Sequence, residues 1–171
     1  MTGAGRTVHR GPHRGLTIAI TGTRQVESRR DVLAELFERV LAPFADGPAA
    51  ERGWLLGGAA GVDTSALRFL AGRDAGRLVV AVPVRCADQP ADAREAIEQA
   101  RAVGRVEQIV ELDHPEGVGP AAFTTRNRWL VDHSDLVIGF PLTGTDDGSG
   151  TWETLAYAAG LGRPYLVAPL C

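Results

Sequence analysis

The stretch that decides the fold is residues 54–71, WLLGGAAGVDTSALRFLA. It begins with a short apolar run at 54–56, typical of a buried strand, and a glycine-rich turn follows at 57–63. The remaining residues, 63–71, carry apolar side chains at helical spacing. A strand, a tight loop and a helix in this order are typical of a parallel sheet whose helices cover its faces.

The same alternation of apolar runs and helical segments continues along the chain from Leu16. Ser28 with Asp31 resembles a capping box that opens the first helix, and Pro43 is expected to close it. We therefore predict an α/β fold, a Rossmann-like three-layer sandwich with a mainly parallel sheet of about six strands. The predicted strands are 16–21, 54–56, 78–83, 106–112, 135–140 and 165–168, and the predicted helices are 32–44, 63–71, 91–102, 121–133 and 151–161.

Length and composition favour one domain outside a membrane. The 171 residues suit a single core, so we expect a disordered tail at 1–15 and one Rossmann-like nucleotide-binding domain at 16–171. The net charge is −3, and the arginines are scattered among acidic residues, so nucleic acid is an unlikely partner by this criterion. No apolar run is long enough to cross a membrane, and we expect a cytoplasmic protein.

Three predicted loops each follow a strand and lead into a helix, and we expect them to bind a phosphate group. Glycine lets backbone N–H groups approach an anion closely, and a helix N-terminus presents unpaired donors. In an open α/β sheet, such loops meet at one edge, where ligands bind. The alternative is that each loop is only a glycine-rich turn. The candidate ligand-binding residues are Gly22, Thr23, Arg24, Gly57, Gly58, Ala59, Gly61, Asp63, Gly148, Ser149, Gly150 and Thr151.

These loops lack two better-known phosphate-binding patterns. No Lys with a following Ser or Thr comes after Gly61, as a P-loop requires, and neither glycine loop matches the dinucleotide fingerprint. We therefore expect neither a P-loop NTPase nor an NAD oxidoreductase, and no cofactor. The four histidines, and the cysteines Cys86 and Cys171, lack metal-ligand spacing, so we expect no metal site.

Two polar residues mark the helix predicted at 121–133, because Asn127 lies within its apolar stripe and Arg126 flanks it. A guanidinium offers a planar fork of donors that suits a phosphate, so we place both residues in the ligand site. The structural alternative pairs Arg126 with Asp135 or Glu153 and bonds Asn127 to a neighbouring loop.

Three further residues have both a functional and a structural interpretation. Asp63 would accept a hydrogen bond from a ribose hydroxyl or act as the N-cap of its helix. Glu153 is either an acid, base or hydroxyl acceptor beside a bound sugar, or a carboxylate favoured by the helix dipole. Trp152 either stacks on a base or packs in the core.

Taken together, the loops and the Arg126-Asn127 pair resemble the SLOG superfamily over residues 16–169. This group includes the Rossmann-like domain of DNA-processing protein A and the lonely-guy (LOG, lysine decarboxylase-like) phosphoribohydrolases. The resemblance implies a stand-alone domain that binds a nucleotide or a phosphorylated nucleotide derivative, and a homodimer. It rests on Gly22-Thr23-Arg24, the loop at 57–63, Arg126-Asn127 and Ser149-Gly150-Thr151.

The resemblance implies two alternative activities. The lonely-guy enzymes hydrolyse the N-glycosidic bond of nucleoside 5′-monophosphates, which would make Arg126 and Glu153 the catalytic residues. The family's catalytic glutamate corresponds in position to Thr154, one residue after Glu153. The second alternative is a DNA-binding partner protein similar to DNA-processing protein A.

Overall fold

Six parallel strands form the central layer of the computed structural model, which describes residues 15–171. Apart from Gly15, the predicted tail at 1–15 lies outside the described residues. All six predicted strands are confirmed to within two residues at each end, and the α/β fold class is confirmed. The strands are β1 (Leu16–Gly22), β2 (Arg52–Leu56), β3 (Arg77–Val82), β4 (Val106–Glu111), β5 (Leu136–Phe140) and β6 (Tyr165–Val167).

Helices connect the strands, and the four longest agree with the predicted segments to within one residue. They are α3 (Val62–Ala71), α4 (Ala91–Ala102), α5 (Pro120–Asp132) and α6 (Gly150–Gly160). Between β1 and β2 the chain forms α1 (Arg30–Leu36), a π-helical segment (Phe37–Leu41) and α2 (Ala42–Ala45). Within residues 15–171, none of the helices has the length and apolar character needed to span a bilayer.

The first helical stretch differs from its prediction at both ends. Ser28 lies inside a short 3-10 turn and makes no capping hydrogen bond, so the predicted capping box is wrong. Pro43 does not end the helix, which continues to Ala45. The π-helical segment before Pro43 is the reason. Its last hydrogen bond joins Ala42 N–H to Phe37 O, five residues back, so the backbone hydrogen-bond pattern changes just before Pro43, which has no N–H to donate.

Helices cover both faces of the sheet, as a three-layer sandwich requires. The helices before β4 pack on one face, where Ile18 and Ile20 of β1 are fully buried beside Phe37 and Leu67. On the other face, Ala19 of β1 packs with residues of α5 and α6. Because successive strand residues point to opposite faces, the apolar run of β1 fills both cores.

The order of the strands fixes where a ligand would bind. Across the sheet the order is β4-β3-β2-β1-β5-β6, so the chain moves outward from β1 to β4 and then returns to place β5 on the other side of β1. This reversal leaves a crevice between the carboxyl ends of β1 and β5, the usual ligand position in open α/β sheets.

Candidate functional site

A cavity of about 430 Å³ lies at this reversal point, and all three predicted loops contribute to it. The loop after β1 forms one side, α3 and α5 form the second, and the start of α6 forms the third. The predicted site residues that line it are Gly22, Thr23, Arg24, Ala59, Asp63, Arg126, Asn127, Ser149, Gly150, Thr151 and Glu153.

Four predicted ligand residues, Gly57, Gly58, Gly61 and Gly148, do not line this cavity. Gly61 has a φ of +82°, and a Cβ there would lie 2.5 Å from the Cα of Arg24, so glycine is required for the two loops to meet. A Cβ on Gly58 would meet Val82 of the core instead of a ligand. Packing therefore accounts for the glycines at positions 58 and 61.

The loop at 57–63 is closed by its own carboxylate. Asp63 lies in the first turn of α3, and its Oδ2 accepts a hydrogen bond from Ala59 N–H at 3.2 Å. The N-cap of α3 is Gly61, so the predicted capping role of Asp63 is wrong. Because this carboxylate is buried beside the positive end of α3, and the Val62 N–H of that end already donates to Thr23 O, this helix is a poor site for a ligand phosphate.

Arg126 is buried beside this loop and binds it from α5. Its guanidinium donates hydrogen bonds from Nη1 to Gly57 O and from Nε to Asn127 Oδ1, the latter at 2.8 Å. Nη1 also lies 3.8 Å from Asp63 Oδ2, and both side chains are more than nine-tenths buried. The predicted structural partners of Arg126, Asp135 and Glu153, are therefore wrong.

The carboxylate of Asp135, one of the two partners considered for Arg126, is engaged elsewhere. Oδ2 of Asp135 accepts a hydrogen bond from Thr17 N–H at 2.8 Å. This contact fixes the start of β5 beside β1 and leaves Arg126 to the loop after β2.

Burial sets the protonation tendencies of the Asp63–Arg126 pair. Loss of solvent raises the pKa of Asp63 above its ordinary value, while Arg126 and the Ala59 N–H act in the opposite direction. Burial lowers the pKa of Arg126, and Asp63 opposes that shift. Burial thus favours the neutral form of each group, and the attraction between the two side chains opposes it.

The first turn of α6 supplies anion donors at the cavity. Ser149 is the N-cap, and no side chain caps the helix, whose first N–H groups have no partner within it. Asp146 Oδ1 accepts a hydrogen bond from Gly148 N–H at 2.9 Å, and Asp147 Oδ1 accepts one from Ser149 N–H at 3.0 Å. These two contacts shape the turn that presents Ser149 and Gly150.

Asn127 connects Arg126 to this turn. Because its Oδ1 accepts the Arg126 Nε–H, its Nδ2 is directed away from Arg126, and it lies 3.8 Å from the point where a Cβ on Gly150 would be. Asn127 therefore presents an N–H donor next to the start of α6.

Arg24 and Phe123 form one wall of the cavity, and of the two only Arg24 was predicted as a site residue. The guanidinium carbon of Arg24 lies 4.5 Å from the centre of the Phe123 ring, a cation–π contact. Phe123 lies on the helix predicted at 121–133 and was not predicted as a site residue. Gln25, Pro120 and Thr124 also line the cavity and were missed, because none belongs to a glycine loop.

Glu153 and Trp152 follow each other on α6 but have different surroundings. Glu153 is exposed and lines the cavity together with Asn127. Trp152 packs against the core between the sheet and α6, so its core interpretation is the better one. Within residues 15–171 no cluster of three His, Cys, Asp or Glu side chains could hold a metal ion.

Comparisons with known proteins support the fold. A scan against protein-family models found no match, and a search of curated proteins found none. The solved structure of DNA processing protein A from Helicobacter pylori, studied for its single-stranded DNA binding mode, is similar with a TM-score of 0.61 and 21% identity. The match covers 90% of this chain and spans 65% of the length of that chain. At this identity the likeness shows a shared Rossmann-like fold.

Proposed function

We propose that this protein binds a nucleotide or another phosphorylated small molecule in the cavity between β1 and β5. The observation that carries the proposal is that loops from three strand ends, together with Arg126 and Asn127, line one cavity at the reversal point. A pocket of this size with a few converging polar groups is the usual form of a small-molecule site.

The phosphate is best accommodated at the start of α6. Its first-turn N–H groups and the Ser149 hydroxyl are donors, Asn127 adds an amide N–H, and Arg24 is an exposed cation on the opposite wall. Arg126 is held by Asp63 and Gly57, so it organises the site more than it supplies free charge.

Thermal unfolding in the presence of a panel of nucleotides tests the proposal. A ligand at 100 times its dissociation constant stabilises by about 2.7 kcal/mol, which corresponds to roughly 5–11 °C for a domain of this size. Arg24→Met should reduce the shift, while Arg30→Met, an exposed arginine of α1 outside the cavity, should not. If no nucleotide or sugar phosphate raises the melting temperature, the proposal is wrong.

A second candidate function is hydrolysis of the N-glycosidic bond of a nucleoside 5′-monophosphate. It is favoured by the position of Glu153, whose exposed carboxylate borders the cavity where a ribose would follow a phosphate at α6. Glu153 would activate water or stabilise charge at the ribose, and Arg126 would act by ordering the site.

Release of free base from nucleoside monophosphates measures this activity directly. Glu153→Gln should abolish the release, while Glu98→Gln on α4, which lies outside the cavity, should leave it unchanged. Equal rates in wild type and Glu153→Gln would exclude Glu153 as the catalytic group.

A third candidate is binding of single-stranded DNA, the ligand class studied in the similar solved structure. This likeness weakens our expectation from net charge that nucleic acid is an unlikely partner. Electrophoretic mobility of a single-stranded oligonucleotide, measured at low and at physiological salt, tests it. Binding through phosphate contacts should weaken steeply with salt, and no binding at low salt would remove the candidate.

We also propose membership of the SLOG superfamily, a single domain over residues 16–171, a cytoplasmic location and a homodimer. The resemblance of the loops supports the first of these and implies the last. Molecular mass measured in solution by light scattering tests the dimer, and a monomer mass at micromolar concentration would exclude it at that concentration.

A further inference from the structure

A second cavity of about 260 Å³ shares part of its lining with the first and is also lined by Asp88, Gln89 and Pro90 of the segment between β3 and α4. Arg24, Ala59, Phe123 and Arg126 border both cavities, so the Arg24–Phe123 contact stands between them. The backbone of Arg24 is fixed by its close approach to Gly61, whereas its side chain is exposed. The guanidinium of Arg24 can therefore move from its position between the two cavities without a change in the backbone.

Gln89 supplies a buried hydrogen-bonding group at this second cavity. Its residue surface is 8% exposed, and it lines the cavity immediately after the 3-10 turn at Cys86–Asp88. Among the described residues, its side chain makes one hydrogen bond, from Nε2 to Arg85 O at 3.2 Å. An acceptor, Oε1, and a second Nε2 hydrogen are therefore left for a ligand.

The two cavities differ in chemistry. The first borders the uncapped start of α6 and suits an anion, as argued above. The second is walled by Ala59, Ala60, Val118 and the Phe123 ring, and the Gln89 amide is its uncharged hydrogen-bonding group. Its lining also includes the charged side chains of Arg24, Arg126 and the exposed Asp88. An apolar wall with an aromatic ring and a donor–acceptor pair is suited to a neutral planar group, such as a nucleobase.

The strand order also limits the length of the ligand. β5, which leads into α6, is separated from β3 by β1 and β2, so three strand spacings, roughly 14 Å, lie between the two strand ends. A phosphate ion or a sugar phosphate is too short to reach both ends. An extended nucleotide has a length of this order.

We propose that the cavity at Gln89 is the nucleobase subsite of the ligand whose phosphate lies at α6, and that the Gln89 amide selects the base by its hydrogen-bonding edge. This inference rests on the proposed nucleotide-binding function. Binding of the base requires Arg24 to leave its position over Phe123 or to stack on the base there.

Calorimetric titration with AMP, GMP, CMP, UMP and ribose 5-phosphate tests the subsite. At least one nucleotide should bind about tenfold or more tightly than ribose 5-phosphate, since one or two additional hydrogen bonds correspond to about this factor. Gln89→Leu, which keeps most of the side-chain volume, should remove about tenfold from that nucleotide and leave ribose 5-phosphate within about twofold. Gln99→Leu on α4 is the matched control and should change neither affinity.

A second variant tests the subsite at an exposed position, in case substitution of the buried Gln89 disturbs folding. Val118 is 54% exposed at the rim of the second cavity, so Val118→Trp should fold and obstruct the subsite. It should weaken nucleotide binding and spare ribose 5-phosphate. Titration with a single-stranded pentanucleotide shows whether the base belongs to a nucleic acid or to a free nucleotide. If the pentanucleotide binds and Gln89→Leu weakens its binding, the ligand is a nucleic acid strand; if it does not bind, the ligand is a free nucleotide.

The outcomes separate the inference from the proposed function. If ribose 5-phosphate binds as tightly as every nucleotide, or if Gln89→Leu and Val118→Trp weaken both ligand classes equally, the subsite is wrong and phosphate binding stands. If neither ribose 5-phosphate nor any nucleotide binds, the proposed function fails and the inference fails with it.

Discussion

Replacing Arg126 with Met tests the structural account of the buried pair most directly. The substitution keeps a long apolar side chain but removes the charge that faces Asp63 and the donors to Gly57 O and Asn127 Oδ1. At 3.8 Å, two unit charges attract by about 4 kcal/mol at an effective dielectric constant of 20. Removing one partner of a buried pair typically destabilises by about 3–5 kcal/mol, because the other charge stays buried without compensation.

A surface pair of the same residue types provides the control. Arg105 and Asp74 are 2.7 Å apart, closer than the buried pair, but their side chains are 39% and 78% exposed. Solvent screens this contact, so Arg105→Met should cost at most about 1 kcal/mol. At about 2–4 °C per kcal/mol, Arg126→Met should lower the melting temperature by about 6–20 °C and Arg105→Met by no more than about 4 °C.

Urea unfolding and circular dichroism melting at neutral pH measure both variants. Adding Asp63→Asn to Arg126→Met should recover part of the loss, because it removes the uncompensated carboxylate, and a double-mutant cycle gives the coupling. Equal decreases in the free energy of unfolding for Arg126→Met and Arg105→Met would refute the reasoning, since burial would then have no influence on how much an ion pair contributes to stability.

Burial raises the folded-state pKa of Asp63 above 3.8, so the folded protein binds the proton of this carboxyl group more tightly than the unfolded chain does. The resulting stabilisation is fully present below that pH and is lost as the pH rises through the folded-state pKa. The melting temperature of Asp63→Asn relative to wild type should therefore increase as the pH rises from about 4 through the folded-state pKa, and a difference independent of pH would contradict the shift. Gly61→Ala should destabilise by about 2–4 kcal/mol in urea unfolding, from its positive φ and its contact with the loop after β1. Gly104→Ala, with a φ of +71° but no atom within 4 Å, should cost only about 1–2 kcal/mol, and equal costs would exclude the contact. Trp54→Phe should lower the free energy of unfolding by about 1–3 kcal/mol in the same measurement, because the fully buried indole N–H donates to Ala75 O at 2.8 Å. An unchanged midpoint would show that a water molecule replaces this donor.

The sheet and its four longer helices could be predicted from the sequence because their signals are local. Apolar runs bounded by glycine or proline gave the strands, and the spacing at 91–102 predicted α4 with the bounds that it has. The π-helical segment at Phe37–Leu41 could not be predicted in this way. Phe37 packs on Phe69 and Phe140, which are distant in the chain, so the change in helical pattern occurs among contacts that periodicity does not reveal.

Part of the candidate site was also predictable. Glycine loops at strand ends, together with Arg126 and Asn127, were expected to converge, and the strand order brings most of them to one cavity. The partner of Arg126 was not predictable, because Asp63 lies on a different strand–helix unit and only the folded sheet brings the two together. Gln89 gave no sequence signal at all, since a single amide after a strand belongs to no motif.

The carboxylate of Asp63 makes the turn at 57–63 self-sufficient. This turn contains glycines and a helix N-terminus, but the anion beside them is the Asp63 carboxylate of the same chain. The turn is therefore fully formed before any ligand binds. A ligand phosphate thus meets a carboxylate at the end of α3, whereas the start of α6 has no side-chain cap. Ligand binding should accordingly leave the conformation of the turn at 57–63 unchanged, because its internal hydrogen bond is already formed.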